Sequence, residues 1–284
     1  MINEAYIVKN YFKETSVSDQ KSNLSLFISS NSLIFCEFTN DFKIITELAE
    51  IEFNNHTNPT ITLIERVQFI FSNYQLIKNY NKVYIVILNT NFTLIPNAFK
   101  TESNNSEILK FVTGITHTRN TIEHSLNNFT FCYTIEYELK QFLEKTFPIA
   151  FIRHSGAVIL NLFNSLPALT NFDLFLNINY GIIEIAVKQK NDLQFYNVFN
   201  YQTNEDIIYY LLFTLEQLNL NPLFVKVVIS GQIETSDHLI ISLKKYVKQI
   251  GFLVLKESAP VKNEKHSFPN HYYFNVLTQH LCEL

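Results

Sequence analysis

Two glycines stand where a backbone could approach an anion. Gly181 closes the stretch Asn177-Ile178-Asn179-Tyr180-Gly181, and Gly231 lies in Ile229-Ser230-Gly231-Gln232, at the carboxyl end of an apolar run. Glycine reaches positive φ without steric cost, which lets backbone N–H groups cradle a phosphate. The same freedom serves a tight hairpin at Gly181 and a strand-to-helix turn at Gly231, although strand carboxyl ends are also where open α/β sheets bind ligands. Only 5 of the 284 residues are glycine, so other phosphate-cradling loops have little to draw on.

The remaining reactive side chains lack the spacing of a catalytic or metal motif. Arg153-His154-Ser155-Gly156 sets a serine beside a histidine, but a nucleophile and its base are brought together in space, and Ser155 reads as a helix cap. His266, His271 and His280 lack the i, i+4 pairing of a helical zinc site and read as solvated or core imidazoles. Ser230, Thr235, Ser236 and Asp237 read as caps of the helix that follows. Asp206, beside Tyr209 and Tyr210, reads as a first-turn acid favoured by the helix dipole. The 3 cysteines, Cys36, Cys132 and Cys282, are odd in number and lie far apart. Neither a disulfide framework nor a metal site is expected, and reduced thiols point to the cytoplasm.

Composition narrows the function classes. A formal charge of -4 and a pI near 6.1, with arginine only at 66, 119 and 153, argue against nucleic acid, because gripping phosphates needs a basic face. The opening MINEAYIVKNYFKETS has no basic-then-apolar signal pattern. Apolar runs such as Ile207 to Leu215 fall short of the roughly 20 residues that span a bilayer, so no membrane span is expected.

The elements that would position these residues recur. Leu24 to Phe53 reads as three strands parted at Ser29–Ser32 and Thr39–Asp41. Pro59 then opens a helix with an apolar stripe at Leu63, Val67, Ile70, Tyr74 and Ile77. Val83 to Leu88 follows as a strand covered on both faces. Phe172 to Tyr201 repeats the three strands, with turns at Asn179–Gly181 and Gln189–Asp192, before a helix over Asn204–Leu218 and a buried strand over Leu223–Ser230. Two βββαβ units in one order indicate an internal duplication, each with a parallel strand added through a helical crossover. Further strands are expected near Thr121–Tyr133, with helices near Ile135–Thr146, Ser236–Ile250 and Tyr272–Leu281. The expected domains are residues 1–150 and 151–284.

Such a duplicated unit is the ground plan of the actin, hexokinase and Hsp70 superfamily, whose two ribonuclease-H-like lobes close over a nucleotide. Three stretches, Phe151 to Phe163, Phe195 to Pro222 and Pro269 to Leu284, resemble the bacterial family called domain of unknown function 3822. That resemblance implies an actin-like ATPase fold over essentially the whole chain and no particular activity. In the catalytic superfamily an Asp-x-Gly loop opens each lobe, and a glycine pair in the second lobe receives adenosine. Here the corresponding loops read Ile28-Ser29-Ser30-Asn31-Ser32 and Asn177 to Gly181, without acids, and Ile229-Ser230-Gly231-Gln232, with one glycine. Mg²⁺ needs the acids and phosphate the glycines, so ordinary ATP hydrolysis is not expected. The first strand of each unit also lacks the acids of a ribonuclease-H-type two-metal site.

The expectation is therefore an α/β protein that is a non-catalytic interaction or scaffold protein with an unknown protein partner, similar in outline to the actin homologues of pilus assembly. The alternative is a nucleotide-binding protein with little or no ATP hydrolysis, holding its ligand near Gly181 and Gly231. Motifs call for no cofactor and no catalytic residue. Phe195, Tyr196, Phe199 and Tyr201, on one strand, are either binding anchors or core.

Overall fold

The computed structural model describes residues 6–14, 22–54, 60–99, 105–115, 121–165, 173–189, 192–254, 269 and 271–282. They divide into two compact units, the first holding described residues up to Asn161 and from Gln279 onward, the second those from Leu162 to Thr278. Where the sequence suggests a boundary at 150, the chain changes unit inside a helix at 161, and its last turn belongs to the first unit.

In the first unit the chain forms β1 (Tyr6–Lys13), β2 (Asn23–Ser29), β3 (Ser32–Phe38), β4 (Ile45–Phe53), α1 (Leu63–Asn73) and β5 (Val83–Leu88). There follow β6 (Phe92–Pro96), α2 (Asn105–Thr113), β7 (Thr121–Ser125), β8 (Phe129–Thr134), α3 (Tyr137–Thr146), β9 (Phe151–His154) and α4 (Ser155–Ser165), which passes into the second unit after Asn161. The main sheet runs β1-β4-β3-β2-β5-β9, and β6-β8-β7 form a small separate sheet. The second unit contains β10 (Leu174–Asn179), β11 (Ile182–Gln189), β12 (Asp192–Asn200), α5 (Asn204–Gln217), β13 (Lys226–Gly231), α6 (His238–Leu243), β14 (Gln249–Phe252) and α7 (Phe274–Leu277). Its sheet runs β12-β11-β10-β13-β14.

The duplication extends to register. β2 pairs Phe27 with Ile34 of β3 and, in parallel, with Val86 of β5; β10 pairs Asn177 with Glu184 of β11 and Ser230 of β13. Each meander carries a bulge at the same place, between Glu37 and Phe38 and between Val187 and Lys188. Both crossover helices begin with the same reciprocal cap. Glu65 N–H donates to Thr62 Oγ1 at 3.3 Å and Thr62 N–H to the Glu65 carboxylate at 2.8 Å. Asp206 N–H donates likewise to Thr203 Oγ1 at 3.3 Å, and Thr203 N–H to the Asp206 carboxylate at 2.9 Å. These bonds occupy N–H groups that a first turn leaves without helical partners. They also hold both carboxyls below their ordinary range, the backbone N–H of Thr62 acting on Glu65 and those of Gln202 and Thr203 on Asp206.

Burial follows the pattern of the strands. Every residue of β2, β5 and β10 is buried, as expected where parallel pairing and a helical crossover leave both faces covered, and so is every residue of β3, antiparallel between β2 and β4. On β10, Leu174, Leu176 and Ile178 pack with Ile207, Leu211 and Leu215 of α5 and Leu239 and Leu243 of α6. The opposite face meets other partners, Phe175 lying edge-on to Phe274 at 5.6 Å and to Phe163 at 6.0 Å.

Five elements differ from the sequence reading. Helix α1 is opened by Thr62 and ends at Asn73, so Ile77 lies beyond it, 59% exposed; Pro59 lies outside the described residues. The helix expected over Ser236–Ile250 stops at Leu243, because Gln249–Phe252 pair in parallel with Lys226–Ile229 of β13. β1 and β6 have no counterpart among the expected strands. The last helix is two short pieces, α7 and a 3-10 turn over Gln279–Leu281.

Candidate functional site

The second unit gathers its polar side chains into one row across the sheet. Asn177 Nδ2 donates to Glu184 Oε2 at 2.7 Å and to Asn275 Oδ1 at 3.0 Å, while Ser230 Oγ donates to Asn177 Oδ1 at 2.7 Å. Tyr196 OH donates to Glu184 Oε1 at 2.7 Å, and Asn275 Nδ2 to Asn179 Oδ1 at 2.6 Å. All six residues are buried. Cross-strand pairing explains the row: Asn177 lies directly opposite both Glu184 and Ser230, so the three side chains leave one face of the sheet together. Burial, and after it the Glu184 charge, pushes the Tyr196 hydroxyl far above its ordinary pKa, which keeps it a donor to that carboxylate.

Both glycines lie at the carboxyl end of β10. Gly181 has φ +66°, and its carbonyl accepts from Tyr201 N–H at 2.9 Å, so it shapes the β10–β11 hairpin. Gly231 has φ +95°, and a Cβ there would sit 1.9 Å from Ile178 O. That close approach lets Gln232 N–H donate to Ile178 O at 2.8 Å and Gly231 N–H to His271 O at 2.9 Å. The first unit needs no glycine in its hairpin, where Ser29 Oγ accepts from Asn31 N–H at 3.2 Å and Ser32 N–H at 3.0 Å. Three buried polar atoms at this end of the second sheet, Asn179 Nδ2 and Gln232 Oε1 and Nε2, have no hydrogen-bond partner among the described residues.

The other residues singled out in the sequence serve the fold. Ser230 belongs to the row rather than to a cap, and Asp237 alone caps α6, accepting from Leu239 N–H at 2.8 Å. His154 braces the start of α4, its Nδ1 accepting from Gly156 N–H at 3.0 Å while Nε2 meets Asn89 O at 3.0 Å, and Ser155 is the first residue of that helix. Those partners assign a neutral ring protonated on Nε2, and burial lowers its pKa to about 3. His271 Nε2 lies 2.9 Å from Ile233 O, and His280 stacks on Phe42 at 4.5 Å; His266 lies outside the described residues. Tyr196 is buried, and Phe195, Phe199 and Tyr201 are half-buried against the second core. Among the described residues no three His, Cys, Asp or Glu side chains gather as a metal site, and no helix is long and apolar enough to cross a membrane. Asn275 was missed in sequence: a lone asparagine within YYFNVL carries no motif, and only the fold brings it to Asn177.

Comparison with known structures identifies the architecture. A Bacteroides thetaiotaomicron protein with an actin-like ATPase fold and unknown function superposes with a TM-score of 0.69 at 22% identity, covering 84% of this chain and 94% of that one. The PilM-PilN type IV pilus biogenesis complex gives a TM-score of 0.58 at 11% identity, covering 90% and 95%. The cytoplasmic domain of EpsL, an inner membrane component of the type II secretion system of Vibrio cholerae, gives 0.50 at 9% identity, covering 92% and 94%. The fold is therefore actin-like. No curated protein matches the chain. The family model for proteins of unknown function termed DUF3822 matches residues 13–250, and the chain belongs to that family.

Proposed function

We propose that the chain is a non-catalytic interaction protein, a scaffold built on an actin-like frame. The observation that carries this reading is the closed polar row. Asn179 stands where the Asp-x-Gly loop of a catalytic relative holds its acid and accepts from Asn275 Nδ2, and two residues before it on β10 the amide of Asn177 is committed to Glu184, Ser230 and Asn275. No carboxylate stands at 29, 31, 177 or 179 to hold hydrated Mg²⁺, and at Gly231 the space beside Cα is filled by Ile178 O. These residues do not fit a Mg²⁺-nucleotide in a hydrolytic pose, so no developing phosphoryl charge would be stabilised. PilM, of the same fold, occurs in complex with PilN, which supports a protein as the partner. Three buried cysteines outside any disulfide suit a reducing cytoplasm.

A second reading, binding of a nucleotide such as ATP with little or no hydrolysis, is favoured by the three unpartnered polar atoms of Asn179 and Gln232. Melting with ATP, ADP and Mg²⁺ separates the two. Flat melting curves and phosphate release no faster than a blank are expected for the scaffold. A nucleotide at a hundred times its dissociation constant would add about 2.7 kcal/mol and overturn it.

A further inference from the structure

The two sheets differ at one edge. β4 is covered by β1, whereas β12, its counterpart, pairs only with β11 among the described residues. The bond from Tyr201 N–H to Gly181 O sets which backbone groups of β12 face β11, and alternation along the strand turns those of Val198 and Asn200 outward. Their counterparts in β4, Glu50 and Glu52, meet Asn10 and Ile7 of β1. On β12 the Val198 N–H instead takes the side chain of its own neighbour, Asn197 Oδ1, at 2.9 Å.

The outer strands are also guarded differently. β1 carries Lys9 and Lys13, paired with Glu52 at 2.7 Å and Glu47 at 2.9 Å, and a bulge between Val8 and Asn10; lysines and bulges are the usual protection of a sheet edge. β12 carries one charge, Asp192, at its first residue. Beside this edge runs a ladder of rings, Phe195 to Phe199 at 6.4 Å, Phe199 to Tyr210 at 4.5 Å, Tyr210 to Tyr209 at 5.5 Å and Tyr209 to Phe213 at 5.7 Å. Tyr209 and Phe213, on α5, are 59% and 44% exposed.

We infer that β12 pairs antiparallel with β12 of a second copy, about a two-fold axis at Val198, so that the second sheet continues through a dimer. Strand addition supplies backbone hydrogen bonds, the Val198 N–H exchanging Asn197 Oδ1 for the carbonyl of its counterpart, and rings beside the edge supply apolar anchors. The strand suits its own partner. Pairing about Val198 sets Asn197 opposite Phe199 and leaves Asp192 outside the overlap, so no like charges meet. A two-fold axis normal to the sheet keeps both α5 helices on one face, where each can offer Tyr209 and Phe213 to the other. This inference is independent of whether nucleotide binds.

Sedimentation of the full chain over a concentration series tests it. The wild type is expected to be a dimer. Asn200→Pro removes an outward N–H, a change edge strands accept, and Phe213→Glu places charge on the exposed ring position. Each should weaken the dimer at least tenfold while the monomer keeps its circular dichroism. If Asn200→Pro fails to fold, Phe213→Glu, on a helix surface, decides alone. A wild type that stays monomeric up to about 0.1 mM, or a dimer of unchanged affinity in the folded variants, overturns the inference.

Discussion

At equivalent places the first sheet lines up Glu50, Ile34, Phe27 and Val86, and the second Val198, Glu184, Asn177 and Ser230. One backbone register thus carries an apolar centre in one unit and a hydrogen-bonded centre in the other. The difference shows that the row does not set the topology; the hairpins, bulges and capped crossover helices, which both units share, do. It also shows what a polar centre requires. Glu184 can be buried because Asn177 and Tyr196 both donate to it, whereas Phe27 and Ile34 ask nothing of their neighbours. In the first unit two acids of β4 serve β1, Glu47 accepting from Tyr11 at 3.1 Å and Glu50 from Asn10 at 2.6 Å, while Glu37 on β3 accepts from Tyr80 OH at 2.7 Å.

The largest contrast should come at the end of the row. Gly231 and Ile87 occupy matching positions, opposite Ile178 and Ile28. Gly231→Ala forces a Cβ into Ile178 O at a φ that L-residues rarely adopt, and should cost roughly 4 kcal/mol or more. Ile87→Ala only leaves a cavity and should cost about 3 kcal/mol. Urea titration followed by circular dichroism ranks them; a reversed order would mean that the turn at Gly231 relaxes freely.

The row itself comes next. Asn177→Leu leaves Glu184 short of a donor, and Ser230 and Asn275 short of a partner, and should lose about 3 kcal/mol. Copying the first unit, with Asn177→Phe, Glu184→Ile and Ser230→Val together with Tyr196→Phe, removes the charge and its donors at once. The quadruple variant should unfold at higher urea than the single one. If it is the weaker of the two, the centres of the units are not interchangeable.

Between pH 7 and 5, acid gives the smallest effect. His154 is fully buried, and its pKa of about 3 lies below the unfolded value near 6.5. Only the unfolded chain takes up this proton between those values, so the stabilisation is whole above pH 6.5 and falls by about 1.4 kcal/mol per pH unit as the pH drops toward 3. His280, lowered to about 4 by burial and then by Lys82, adds to the same slope. Urea midpoints between pH 7 and 5 should fall less steeply in His154→Asn. An unchanged slope would place the acid sensitivity elsewhere.

Much of the frame was legible because its signals are local. VYIVIL is a strand covered on both faces, and Asn204–Gln217 is a helix, as read. Thr62 and Glu65 form a cap visible in the sequence, yet Pro59 drew the reading upstream. β14 was hidden because Gln249–Phe252 is a strand only by virtue of the edge that β13 offers. For the candidate site, Gly181 and Gly231 could be placed at turns, but the partners of Asn177 could not. Asn275 meets it across 98 positions and Ser230 across 53, and neither pairing leaves a trace in spacing.

The last turn has a consequence for the order of synthesis. Gln279 Nε2 donates to Leu26 O at 2.9 Å, across 253 positions, and its carbonyl accepts from buried Arg153 at 3.3 Å. A ribosome makes the strands of the first sheet early, yet this buried contact of its central strand must wait until the whole second unit has been translated. The unit that is first to emerge is therefore the last to be completed, and during that interval β2 lacks the bond from Gln279 to Leu26 O.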